Sequence, residues 1–141
     1  MNIKKNILWA DDEIQMLKPH IIYLKKRGYN VIPVNNGDEA VNICENKHVD
    51  LVLLDEMMPG LDGITTLKKI KEKNSSLPII MITKNEEEWL MEEAIAAQIN
   101  NYLTKPVNPS QILIACKNVL ESRNIQSDRI AKDYLHSFQK I

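Results

Sequence analysis

The sequence lacks the features that mark secreted proteins, membrane-spanning proteins and proteins with a structural zinc site. Its two cysteines, Cys44 and Cys116, lie far apart in no CxxC pair, and its three histidines share no ligand spacing. The first segment, "MNIKKNILWADDE", meets charge too soon for a signal peptide. No run approaches the roughly 20 apolar residues of a transmembrane helix. We therefore expect a cytoplasmic protein that contacts no membrane and holds two buried, reduced thiols.

A strong net charge is also absent, since 18 basic and 19 acidic side chains give a formal charge of −1. Such a balance creates no general field that would attract nucleic acid. The sequence has no GxxxxGK[ST] loop, no GxGxxG after its first apolar run and no GxSxG followed by a histidine. These absences argue against P-loop, dinucleotide-binding and serine hydrolase folds.

Hydrophobic residues, at 44% of the chain, are abundant enough for a core, and they follow an alternating pattern. Five short apolar runs, several of them continuous, alternate with five amphipathic stretches, which is typical of parallel strands covered by helices. The predicted strands are 6–10, 30–34, 50–55, 77–83 and 101–104, and the predicted helices lie near 13–27, 38–47, 63–73, 86–98 and 109–122. The pattern favours a three-layer, doubly wound α/β domain, in which ligands bind at the carboxyl ends of the strands.

Polar residues lie at the carboxyl ends of four of these strands. Asp55 ends the third and Thr83 the fourth, whereas Asp11 and Asp12 follow the first and Lys105 follows the fifth. Each has an ordinary explanation, such as a helix cap or a surface lysine, but together they indicate one site. Three close carboxylates repel each other, and Mg²⁺ would relieve the conflict. Asp55 is then a candidate nucleophile for a phosphoryl group, with Lys105 and Thr83 stabilising its oxygens.

Four motifs, "ILWADDE", "LVLLDEMMPGLDG", "IIMITK" and "YLTKPV", resemble the receiver domain of two-component response regulators. The likeness covers about residues 5–122 and implies a CheY-like, flavodoxin-like (βα)5 fold with sheet order 2-1-3-4-5. It implies a receiver domain at 1–122 that accepts a phosphoryl group from a sensor histidine kinase. Such a domain promotes its own phosphorylation and dephosphorylation but is not a conventional enzyme.

The resemblance also implies a role for each matching residue. Asp55 would be the phosphoacceptor, Thr83 the switch hydroxyl and Lys105 its ion-pair partner. Tyr102 would be the switch aromatic, and the bond before Pro106 is expected to be cis. The implied Mg²⁺ ligands are the side chains of Asp12 and Asp55, the backbone carbonyl of Met57 and, through a water, Asp11.

Three residues near the predicted site need separate comment. Lys84 stands where receivers usually have a small residue, so its charge is expected to affect how the phosphodonor docks. Met57 is apolar, which predicts slow dephosphorylation because it hinders the ordering of an attacking water. Glu56 is interpreted as a solvated side chain that points away from the site.

A narrower resemblance and a C-terminal stripe concern the function of the whole protein. The segments "ILWADDEIQMLKPHIIYL", "DEMMPG", "MITKNEEEWLMEEAI" and "KPVNPSQI" are similar to the receiver of PorX-type regulators of type IX secretion, where further domains follow. Residues 123–141 are predicted to form an amphipathic extension, either folded back on the domain or beginning a truncated downstream helical region. This extension is too short for a helix-turn-helix unit, so we expect no direct nucleic acid binding. Its apolar stripe consists of Ile130, Tyr134, Phe138 and Ile141.

The fourth predicted helix carries an outward Trp89, with Leu90, Met91, Ala94 and Ile95 predicted as its inner face. Trp89 either lies against Tyr102 or anchors a homodimer through the face formed by the fourth helix, fifth strand and fifth helix. Two alternatives to a phosphorylated receiver stay open at this point. One is a pseudo-receiver that acts as a phosphorylation-independent interaction module, and the other is a Mg²⁺-dependent phosphatase.

Overall fold

The computed structural model describes residues 3–122, which form a five-stranded parallel sheet covered by helices on both faces. The sheet order is β2-β1-β3-β4-β5, which confirms the predicted 2-1-3-4-5 topology. The strands are β1 (Lys5–Ala10), β2 (Tyr29–Val34), β3 (Leu51–Leu54), β4 (Ile79–Thr83) and β5 (Asn101–Thr104). Central strands β3 and β4 are buried along their whole length, as continuously apolar sequences require.

Two hydrophobic clusters, one on each face of the sheet, hold the helices in place. Trp9 and Leu24 belong to the cluster under α1 and α5, whereas Leu54, Leu67 and Leu90 belong to the cluster under α2, α3 and α4. The helices are α1 (Lys18–Lys26), α2 (Gly37–Asn46), α3 (Gly63–Lys73), α4 (Glu88–Ala96) and α5 (109–122). Within residues 3–122, no helix has the length and apolar sequence needed to cross a bilayer.

Two helix ends show common terminal residues. Gly28, the second residue after α1, has a φ of +94°, a conformation that favours glycine. Asn108 caps α5, because its side-chain oxygen accepts the N–H of Gln111 at 2.9 Å. The Gln111 side chain in turn accepts the N–H of Asn108 at 2.9 Å, which completes a capping box.

The first predicted helix, 13–27, is wrong in its first part. A short 3-10 helix covers Ile14–Leu17, and α1 begins only at Lys18. Pro19 lies in the first turn of α1, where its missing N–H and fixed φ are tolerated. The same residue would break a helix that continued from residue 13.

The fourth helix also differs from its prediction. It begins at Glu88 rather than 86, and the Asn85 side chain accepts the N–H of Glu87 at 3.0 Å. Leu90 and Ala94 face the core as predicted, but Met91 is 40% exposed and Ile95 is 64% exposed. The inner face is therefore narrower than the sequence indicated.

Both cysteines are free thiols, as expected, with Cys116 buried and Cys44 half-buried. Burial raises the pKa of Cys116 to about 12 and that of Cys44 to about 11, so neither is an activated thiolate at neutral pH. The predicted helical extension, 123–141, lies outside the described residues.

Candidate functional site

The register of the sheet brings the predicted site residues together at the carboxyl ends of the strands. Ala10 pairs with Leu54, so Asp11 and Asp55 leave adjacent strands at the same level. The N–H of Asp55 donates to the carbonyl of Ala10 at 3.0 Å, which continues the ladder past the end of β3. Thr83 ends β4 opposite Thr104, and Lys105 follows directly. Asp11, Asp55, Thr83 and Lys105 thus lie at the same edge of the sheet.

Lys105 bridges two of the carboxylates. Its Nζ atom donates to Asp11 Oδ2 at 2.8 Å and to Asp55 Oδ2 at 3.1 Å. The Asp11 side chain has no exposed surface and that of Asp55 is 5% exposed, so both charges depend on this lysine for compensation. The peptide bond from Lys105 to Pro106 is cis, as predicted.

The pKa values show how crowded this charge cluster is. Burial raises the pKa of Asp55 above its ordinary value, the charge of Asp11 raises it further, and Lys105 opposes both. Burial lowers the pKa of Lys105, but its bond to Asp11 and the charges of Asp55 and Asp11 outweigh burial and raise it overall. The surroundings thus stabilise the charged form of Lys105 and destabilise the charged form of Asp55.

Asp11, Asp12 and Asp55 can each offer one oxygen such that all three atoms lie within 4.8 Å of one another. Asp12 is exposed and lies on the open side of the cluster. Three carboxylates and one ammonium leave a net charge of −2, which suits a divalent cation. Oxygen donors of this kind match the preference of Mg²⁺, so the residues present fit that ion.

Thr83 and Tyr102 both contact the backbone of Asn85. The Thr83 side chain is buried, and its Oγ1 accepts the N–H of Asn85 at 3.3 Å. The Tyr102 hydroxyl donates to the carbonyl of Asn85. Burial raises the pKa of Tyr102, and the charges of Glu56 and Glu86 raise it further, so the phenol remains a donor. These contacts connect the end of β4, the start of the α4 segment and β5.

Glu56 is not the solvated side chain that the sequence suggested. Its Oε2 atom accepts the N–H of Ile64 at 2.9 Å, and its backbone carbonyl accepts the N–H of Gly63 at 2.9 Å. Burial raises the pKa of Glu56 to about 7, with the charges of Asp62 and Asp55 adding to burial and the bond from Ile64 opposing it. Sequence reasoning missed this contact because the only available signal was an acid placed before a helix that starts with glycine.

Met57 and Lys84 both lie at the surface beside the cluster. Met57 is 62% exposed, and its N–H donates to Asp55 Oδ1 at 3.3 Å. Lys84 is exposed and lines a cavity of about 360 Å³ together with Asp11 and Lys105. A molecule that approaches the cluster through this cavity therefore meets the Lys84 ammonium.

The sequence matches the family model described as the response regulator receiver domain over residues 7–117. Among curated proteins, it is 32% identical to the alkaline phosphatase synthesis transcriptional regulatory protein PhoP of Bacillus subtilis, covering 87% of this chain and 51% of that protein. It is 37% identical to the transcriptional regulatory protein ResD of the same organism, covering 81% of this chain and 47% of that protein. The chain thus spans about half the length of these relatives.

Solved structures agree with this match. A CheY-like receiver domain protein from Methanospirillum hungatei superposes with a TM-score of 0.84 at 27% identity, covering 88% of this chain and 99% of that one. A chain of the CheX–CheY–BeF3–Mg complex from Borrelia burgdorferi superposes with a TM-score of 0.77 at 30% identity, covering 83% of this chain and 90% of that one.

Proposed function

The chain belongs to the response regulator receiver family, and from this premise we propose that Asp55 accepts a phosphoryl group from a sensor histidine kinase in a Mg²⁺-dependent reaction. Receivers of this family act with histidine kinases and with linked output domains, as signalling domains rather than conventional enzymes. The observation that carries the proposal is a buried Asp55 carboxylate grouped with Asp11 and Asp12 and bonded to Lys105.

In the proposed step, an Asp55 carboxylate oxygen attacks the phosphorus of the donor phosphohistidine. The new O–P bond forms as the N–P bond breaks, and the electron pair returns to the imidazole nitrogen. Lys105 is positioned to balance the charge of the transferring oxygens, and Thr83 has a hydroxyl that can donate to one of them. In this proposal Thr83 and Tyr102 then change position and alter the surface around α4.

Mg²⁺, when bound, supplies positive charge beside the phosphoryl oxygens. We assign its ligands to the side chains of Asp12 and Asp55, the backbone carbonyl of Met57 and, through a water, Asp11. The net charge of the cluster and the close spacing of its carboxylates support this assignment.

The test is intact mass after incubation with phosphoramidate or acetyl phosphate and Mg²⁺, for the wild type and for Asp55→Ala. We expect one phosphate adduct on the wild type and none on the variant. A wild type that takes no phosphate from any donor would instead favour the pseudo-receiver. Steady phosphate release without an adduct would favour a phosphatase. Asp50→Ala is a control, because Asp50 lies at the opposite end of β3 and bonds to the Asn6 backbone.

The narrower resemblance supports a further proposal, that the chain acts in type IX secretion control as the receiver of a longer regulator. A relative from Thermotoga maritima named as a cyclic di-GMP phosphodiesterase is 35% identical, and the chain covers 31% of its length. A linked output domain is therefore compatible with the coverage. Replacing Asp55 by Ala in the source organism and measuring the secreted proteins would decide whether this receiver affects type IX export.

We also propose that two copies of the domain form a homodimer through α4, β5 and α5. Trp89 is 52% exposed and Ile95 is 64% exposed, so α4 presents apolar surface that a second copy could cover. The Trp89 indole N–H donates to the Glu87 carboxylate on the same helix segment.

A further inference from the structure

Glu56 lies next to the candidate nucleophile, yet the proposed chemistry gives it no part. We propose that Glu56 is a positioning residue, which fastens the loop after Asp55 to the first turn of α3 and so fixes the Asp55 carboxylate and the Met57 carbonyl in place. The inference rests on the proposed function and deepens it.

Two contacts fasten Glu56 to the start of α3. The side chain takes the N–H of Ile64 and the backbone carbonyl takes the N–H of Gly63, each at 2.9 Å. The first N–H groups of a helix have no partner within the helix, so both contacts satisfy donors that would otherwise be unpaired. Asp62 takes the next donor, the N–H of Thr65, at 2.8 Å. Glu56 thus shares the capping of α3 with the ordinary N-cap residue.

The backbone of α3 lies unusually close to the residue that carries the nucleophile. A Cβ atom at Gly63 would lie 2.5 Å from the Asp55 carbonyl oxygen and 2.6 Å from the Glu56 Cα. It would also lie 2.8 Å from Glu56 Oε2, so glycine is required for both contacts. The helix start therefore packs directly against the Asp55–Glu56 peptide.

Asp55 is held on its other side as well. Its N–H donates to the Ala10 carbonyl at 3.0 Å, and its Oδ1 accepts the N–H of Met57 at 3.3 Å. The segment from Asp55 to Met57 is thus held between β1 and α3. Removing the side-chain acceptor at residue 56 deletes the Ile64 contact with α3. The Gly63 bond to the Glu56 backbone carbonyl and the bond from Asp55 to β1 remain. A carboxylate and an amide both provide an oxygen acceptor, so glutamine should keep the contact and alanine should lose it.

The experiment compares Glu56→Gln and Glu56→Ala with Glu72→Ala, an exposed acid on α3. The hydrogen exchange rate of the Ile64 amide is first measured by NMR without metal. Mg²⁺ affinity is then measured from the chemical shifts of the amides of residues 57 and 64 as Mg²⁺ is added. Finally, the rate of adduct formation with phosphoramidate is measured at saturating Mg²⁺. For Glu56→Ala we expect Ile64 to exchange about tenfold faster, with roughly threefold to tenfold weaker Mg²⁺ binding and slower adduct formation. Glu56→Gln should stay within about twofold of the wild type in all three measurements, and Glu72→Ala should match it.

Two results would overturn the proposal. If Glu56→Gln behaves like Glu56→Ala, the charge and not the acceptor matters. If Glu56→Ala loses Ile64 protection but keeps wild-type Mg²⁺ affinity and adduct formation, Glu56 only caps the helix. Should the alanine variant not fold, Glu56→Met fills the space without an acceptor and replaces it. If the wild type takes no phosphate, the proposed function fails, while exchange and Mg²⁺ binding still decide the role of Glu56.

Discussion

Helices α3 and α4 pack on the same face of the sheet but begin in opposite ways. The first turn of α3 is capped by Asp62 and Glu56, whereas no side chain in the described part of the chain caps α4 at Glu87. Helix α3 buries five of its 11 residues and α4 only two of its nine. Helix α3, beside Asp55, is therefore held by two caps and a large buried face. Helix α4, which follows Thr83, is held by fewer buried residues and no side-chain cap.

The difference suits the two tasks that the proposed function requires. A nucleophile has to be held in one geometry, because small displacements are costly to the chemistry. A segment that transmits a change must instead rearrange at low cost, which is typical of regions with few buried contacts. The contacts of Thr83 and Tyr102 with Asn85 lie at the start of the loosely attached α4 segment. Three experiments test this contrast.

Gly63→Ala should have the largest effect on stability. The new Cβ would meet the backbone of Asp55 and Glu56, which cannot move away as a flexible side chain would. We expect the free energy of unfolding to fall by about 1–3 kcal/mol in urea denaturation. Glu92→Ala, at an exposed position of α4, is the control and should change it by less than about 0.5 kcal/mol. A Gly63→Ala protein as stable as this control would contradict the close contact.

The two helix starts can be compared directly by removing the acid at each cap position. Asp62→Ala deletes the acceptor for the Thr65 N–H and should cost about 1 kcal/mol of unfolding free energy. Glu87→Ala deletes no cap, so thermal or urea denaturation should show a change within about 0.5 kcal/mol. Equal losses from the two variants would show that α4 is attached as firmly as α3.

Trp89→Ala should have the smallest effect on the isolated domain, because the side chain is half-exposed. We expect unfolding free energy to change by about 0.5 kcal/mol or less. If the proposed α4 dimer face is correct, the phosphorylated variant should self-associate more weakly in sedimentation than the phosphorylated wild type. Glu92→Ala again provides the matched exposed position, and unchanged association of Trp89→Ala would remove Trp89 as an anchor.

The site could be predicted from sequence because a parallel sheet delivers all its carboxyl ends to one edge. The positions of Asp11, Asp55, Thr83 and Lys105 needed only the strand ends, which apolar runs reveal. The order of the strands came from the family resemblance. Glu56 could not be assigned, because its partner is the N–H of Ile64, and that contact depends on how closely α3 approaches at Gly63.

The orientation of α4 was beyond sequence pattern for a different reason. Apolar residues occur on several sides of this helix, so periodicity does not choose one inner face. The structure buries Leu90 and Ala94 and leaves Met91 and Ile95 exposed. Likewise, Pro19 marks the first turn of α1, but the amphipathic pattern begins earlier and therefore predicted a helix start at residue 13.

The bond from the Gly63 N–H to the Glu56 carbonyl also bears on proteolysis. It closes residues 57–62 into a short loop, pinned at one end by Glu56 and at the other by the cap of α3. Met57, Pro59 and Gly60 are exposed there, which normally marks a cleavage site. A protease, however, has to bind several residues in an extended conformation, and the bonds at both ends of this loop prevent that conformation until the α3 cap opens. We therefore expect the exposed loop beside Asp55 to resist proteolysis.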